Sequence, residues 1–148
     1  MITRRPITTL IAVAVVAVGL AFGAPAQPVA QFGGTAVTAS SGNVANASAV
    51  ATLAAVAGKT TNICGISFTS SGSTAAAVVS PTVTGGISGT MTFTYATVAG
   101  VTLANAAQTH MFMPCIPASA TGTTIVVTLP ALGAGNTNAT ANAWGFQF

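Results

Sequence analysis

The chain contains no aspartate and no glutamate in 148 residues. Glycoside hydrolysis normally uses a pair of carboxylates. Calcium and magnesium sites are built around Asp and Glu. A serine triad uses a buried carboxylate to orient its histidine. None of these can be assembled here, and no G-x-S-x-G elbow, phosphate-binding loop or dinucleotide fingerprint is present. Positive charge is almost as scarce: Arg4, Arg5 and Lys59 are the only cationic residues, and charged residues make up 2% of the chain. The pI of about 9.5 therefore reflects missing acids rather than abundant bases. Setting the two arginines against the formal charge of +3 leaves +1 from residue 6 onward. Neutralising phosphates takes several Lys or Arg, so nucleic acid is excluded as a partner.

Histidine is limited to His110, and cysteine to Cys64 and Cys115. Two Cys and one His without a carboxylate do not complete a four-ligand metal site. His110 lies in the strand-like run Thr109-His110-Met111-Phe112-Met113, and Lys59 follows Gly58 at a turn signal. Both read as structural residues. No catalytic, cofactor-binding or metal-ligating residue is assigned, and no cofactor is expected.

What is present is Thr, Ser, Asn, Gly, Ala and Val, with a hydrophobic share of 51%. That share argues against disorder, which goes with low hydrophobicity and high net charge. Thr and Val favour strands, whereas Gly and Asn favour turns. The composition therefore predicts an all-β protein with a neutral surface of hydroxyls and amides. Such a surface lacks the charge repulsion that keeps monomers apart.

Residues 1–26 differ from the rest. Arg4 and Arg5 precede an almost wholly apolar run from Ile7 to Phe22, followed by Gly23-Ala24-Pro25-Ala26. This is the charged, apolar and small-residue order of a secretory signal, with Ala24 and Ala26 forming an A-x-A cleavage site. The run of about 16 residues is short for a membrane span of roughly 20. The competing reading is a retained N-terminal anchor or an assembly helix; an uncleaved segment would be the only route to a membrane. A hydrophobic leader helix is expected in either case. Residues 27–43 read as a flexible arm, or as a strand lent to a neighbour.

Beyond the leader no helical period stands out. Short β-type runs fall at about 44–54, 60–70, 74–84, 88–97, 108–113, 122–129 and 141–148, separated by Gly, Pro, Asn and Ser. The alternation in Thr90-Met91-Thr92-Phe93-Thr94-Tyr95 predicts Met91, Phe93 and Tyr95 on one face. Trp144, Phe146 and Phe148 share a parity and are expected as core anchors. The whole predicts an antiparallel sandwich of seven to eight strands over residues 44–148, jelly-roll or immunoglobulin-like. In an exported chain the even cysteine count predicts a Cys64–Cys115 disulfide; two buried free thiols are the alternative. Asn46-Ala47-Ser48 and Asn138-Ala139-Thr140 are formal glycosylation sequons, a pattern expected by chance in so Asn- and Ser/Thr-rich a chain.

Several phrases of the chain resemble a family of small all-β proteins of alphaproteobacteria and their phages or prophages. They are Ser41-Gly42-Asn43-Val44-Ala45-Asn46, Ala55-Val56-Ala57-Gly58-Lys59-Thr60-Thr61, Cys115-Ile116-Pro117-Ala118-Ser119-Ala120 and the run from Pro130 to Thr140. The resemblance covers about residues 28–148 and implies a virion structural or decoration protein. The leader stands outside it, since most virion proteins assemble in the cytoplasm without a signal.

Two functions follow as expectations. The first is a structural subunit of a phage particle or extracellular filament, exported or virion-borne, whose partners are copies of itself or other capsid or filament subunits. The second is a secreted binding module, an adhesin or carbohydrate-binding domain, with Trp144, Tyr95 and Phe112 as the candidate aromatics.

Overall fold

A computed structural model describes residues 33–73, 75–100, 104–133 and 137–148. The expected leader helix and the Ala24/Ala26 cleavage site lie outside the described residues. Within them the protein is all-β. The strands are β1 (Thr35–Ser40), β2 (Val44–Ala45), β3 (Ala49–Leu53), β4 (Thr61–Ser71), β5 (Ala77–Val79), β6 (Thr82–Gly86), β7 (Gly89–Thr92), β8 (Tyr95–Thr97), β9 (Gln108–Pro117), β10 (Ile125–Leu129) and β11 (Asn138–Gln147). Sheet A has the order β1-β11-β4-β9, with β2 also paired to β11; sheet B has the order β3-β10-β6-β7. A small third sheet joins β5 to β8. Every pairing is antiparallel.

Sheets A and B face each other in a sandwich-like arrangement over one core. Sheet A contributes Ile63, Ile66, Phe68, Ala139, Ala141 and Ala143; sheet B contributes Ala49, Ala51, Leu53, Val83, Ile125, Val127 and Leu129. The period-2 alternation of each strand produces this segregation: β3 and β10 bury every second residue, and β11 does so over its full ten residues.

Several expectations change here. Trp144 and Phe146 do not anchor the core, because β11 turns its alanines inward and its larger residues outward. Phe148 follows the strand and is 48% exposed. The inward alanines leave room for the bulky Ile, Leu and Phe residues of the facing strands, which is how layers interdigitate at native density. The expected arm at 27–43 contains β1, an edge strand in register with β11 of the same chain from Thr35↔Gln147 to Ser40↔Asn142. Its inward residues, Val37 and Ala39, pack against the core.

The run 44–54 divides at Asn46, whose φ of 56° turns the chain from sheet A to sheet B. The run 74–84 divides at Ser80-Pro81. The alternating run 88–97 divides between β7 and β8, so Met91, Phe93 and Tyr95 do not line a single strand; Tyr95 is fully buried, and Met91 and Phe93 are half-buried. There Phe93 N donates to Pro81 O at 2.8 Å.

Glycine is needed where strands come close. A Cβ on Gly145 would overlap the Asn62 carbonyl of β4, with the Ile63 Cα 3.1 Å away. The β4–β11 register shifts at this point, leaving Cys64 as the extra residue of a bulge.

Candidate functional site

Cys64 and Cys115 form the disulfide expected from their number, with a Cα–Cα distance of 4.3 Å. It joins β4 to β9 where the register between them breaks: Ile63 faces Ile116 and Gly65 faces Met111, so four residues of β9 oppose Cys64 alone. The bridge therefore holds together a stretch that ladder hydrogen bonds do not. Disulfides persist in oxidising compartments, which fits a location outside the cytoplasm.

The single histidine sits on the inward side of β9, opposite Ile66. Its ring packs against Phe93 with centroids 4.7 Å apart, and Phe93 also meets Phe112 at 6.4 Å. The His110 Nε2 and Gln108 Oε1 atoms are buried without a hydrogen-bond partner among the described residues. His110 is thus a wedge beneath an edge strand, with no nucleophile bonded to it. Lys59 donates to Thr35 Oγ1 at 3.4 Å, tying the β3–β4 turn to the start of β1. No group of three or more His, Cys, Asp or Glu side chains comes together among the described residues.

A buried polar cluster lies at one end of the sandwich. The Ser70 and Tyr95 hydroxyls are bonded at 2.8 Å, Asn105 Nδ2 donates to Ser70 Oγ at 2.8 Å, and Val98 N donates to Asn105 Oδ1 at 2.7 Å. These bonds fasten the β8 region to the end of β4. The cluster is structural, because each group bonds to another part of the same fold. Of the sequon asparagines, Asn46 accepts from both the backbone and hydroxyl of Thr137, and Asn138 accepts from Asn43.

The surface that stands out is the outer face of sheet A. Its residues fall in rows across four strands: Ser40, Asn142, Ser67 and Thr109; then Thr38, Trp144, Gly65 and Met111; then Ala36, Phe146, Asn62 and Pro117. The first row is polar, and Asn142 Nδ2 donates to Ser67 Oγ at 3.2 Å. The other two are largely apolar. Gly65 has no side chain, and the indole of Trp144 occupies the space a Cβ would fill. Met111 is 61% exposed and Met113, beyond it on the edge strand, 88%. Of the three aromatics expected for binding, only Trp144 lies on an outer face; Tyr95 is fully buried and Phe112 packs on Phe93. The outer face of sheet B is different in kind: Val50, Thr128, Thr82 and Thr92 form one row, and Thr52, Val126 and Thr84 the next.

The apolar end of sheet A was only partly visible in the sequence. The shared parity of Trp144 and Phe146 marked them as one face, but the choice between inward and outward rested on side-chain size, which here misled. Met111 and Met113 gave no separate signal. No family model, no curated protein and no solved structure matches the chain.

Proposed function

We propose that the chain is a non-enzymatic structural subunit of a larger assembly, a phage virion component of the decoration or fibre-like kind or an extracellular filament subunit. The observation that carries this reading is the lack of charge on every sheet edge. Among the described residues the edge strands are β1 (TAVTAS), β2 (VA), β9 (QTHMFMPCIP), β3 (AVATL) and β7 (GTMT), with β5 (AVV) and β8 (YAT) of the small sheet, and none contains Lys, Arg, Asp or Glu. Soluble monomers commonly guard such edges with charge, proline or bulges. β9 has prolines and a bulge, and the pairing of β7 with β6 is also broken by a register shift; β1 and β3 have neither protection. Open, neutral edges are a hazard for a free monomer and an asset for a subunit whose neighbours cover them.

The strand order supports the same reading. Leaving aside the two-residue β2 and numbering the remaining eight strands of the two main sheets in chain order, sheet A runs 1-8-3-6 and sheet B runs 2-7-4-5. We take this as the jelly-roll order, the more specific of the two sandwich topologies expected above, and an architecture used by viral capsid and lectin domains. Fold alone does not give function; it makes the assembly role economical. The disulfide and the signal-like leader favour an exported or particle-borne protein. A secreted adhesin or carbohydrate-binding module has less support, since Trp144 is the one candidate aromatic left facing outward.

Fractionation of the producing culture tests the reading. The protein is expected in the particle or filament fraction, and its N-terminal residue there separates export, with cleavage after Ala26, from cytoplasmic assembly with Met1 retained. Recovery solely as free protein of monomer size would refute it.

A further inference from the structure

We propose that the apolar end of the outer face of sheet A, formed by Trp144, Phe146, Met111 and Met113, is where a second copy of this chain docks. The inference rests on the assembly reading and gives it a surface. Cross-strand register puts Trp144 and Met111 in one row on either side of Gly65, with Phe146 in the adjacent row. Met113 follows on the same edge strand, in the four-residue stretch without a register partner on β4, and is 88% exposed. The fold draws no stability from burying Met111 or Met113, because both point away from the core. Other exposed apolar residues, such as Val50, Ile87 and Val98, belong to different elements and do not join this row.

Interface cores are enriched in aromatic residues and Met and depleted of Lys, Glu and Asp, with a polar rim around them. The face has this make-up. Its apolar rows adjoin Ser40, Asn142, Ser67 and Thr109, neutral groups able to exchange hydrogen bonds with a partner. β11, β4 and β9 are ten or eleven residues long and β1 six, so the whole face measures roughly 30 by 15 Å, about 450 Å² in plan. That is below the roughly 800 Å² per partner of a standard interface, so docking at the apolar end must also cover the adjoining polar row.

Charge selects the occupant. A nucleic acid or an acidic protein would need cations, and the face has none. A second copy brings the same neutral, apolar surface, so no ion is desolvated and no like charges meet. Trp is the residue most often found at the energetic centre of such contacts, and Met adapts its shape to an irregular partner.

The test measures solution mass by light scattering on the full chain, together with methionine oxidation by dilute peroxide, read by peptide mass spectrometry. Two variants are compared with the wild type: Met111→Ser with Met113→Asn, and separately Trp144→Thr. The double methionine variant changes only exposed side chains, so its fold is kept even if the Trp144 change disturbs β4. The expected result is a multimeric wild type and an association weakened at least about tenfold in each folded variant, the cost of about 1.4 kcal/mol at a contact centre. Met111 and Met113 should also oxidise several-fold faster in the Trp144→Thr protein than in the wild type. A multimeric wild type with freely oxidised Met111 and Met113, and variants that stay assembled, would overturn this surface while leaving the assembly reading intact. A wild type that is monomeric at every concentration would overturn both.

Discussion

Removing the Cys64–Cys115 bridge should lower stability by about 4 kcal/mol. The two residues are 51 apart in sequence. In the chain-entropy description, a cross-link of that span removes about 14 cal/mol/K from the unfolded ensemble, or about 4 kcal/mol at room temperature. The native side adds to this, because the bridge spans the gap where β4 and β9 lose register. For a domain of this size each kcal/mol moves the melting temperature by about 4 °C. A Cys64→Ala, Cys115→Ala protein should therefore melt about 15 °C below the oxidised wild type, followed by far-ultraviolet circular dichroism at matched concentration. The folding rate should fall in the same comparison if the cross-link acts by shortening the search between β4 and β9. A loss below about 1 kcal/mol would mean that the bridge does not constrain the unfolded chain, contrary to this expectation.

Three further outcomes follow. Gly145→Ala should destabilise by roughly 3 kcal/mol or more, because its Cβ would meet the Asn62 backbone, which cannot move without parting β11 from β4; chemical denaturation measures this, with Gly58→Ala as a control for a glycine in open space but at positive φ. Tyr95→Phe should cost about 1 kcal/mol, the value of one buried hydrogen bond, since Ser70 keeps its bond from Asn105. Acid unfolding proceeds largely by protonating carboxylates that are ionised in the native state. With no Asp or Glu side chain to protonate, the melting temperature should change little between pH 5 and pH 2, where a typical domain loses much of its stability; a steep fall would contradict this.

The β character, the disulfide pair and the neutrality of the surface were legible in the sequence, because each rests on composition or on a count. Strand positions were largely legible as well: β4, β10 and β11 fall close to the runs of alternating or continuous apolar residues. The divisions within runs were not. Asn46, Ser80-Pro81 and the Phe93-Thr94 junction each pass the chain from one sheet to another inside a run of strand-forming residues, so the run alone joined what the fold separates. The inward direction of β11 was missed for a related reason. Alternation says which residues share a face, and here the expectation that large apolar groups go inside chose the wrong one. The strand offers three alanines to the core because the facing side chains, Leu53, Ile125 and Leu129 among them, are large. The residue that permits the outward tryptophan is Gly65, earlier in the chain with six strands between, and its role is visible only once β4 lies beside β11. The same holds for the candidate surface as a whole: its parts come from β1, β4, β9 and β11, and only cross-strand register brings them together.

In this reading the nearly uncharged sandwich, whose described residues carry Lys59 as their one cationic side chain, is a subunit. Sedimentation of the purified natural protein over a wide concentration range tests it most directly. A discrete multimer, or growth to larger particles, is expected, well above the mass of 14.3 kDa for one chain. A single species of one-chain mass at the highest concentration reached would contradict it.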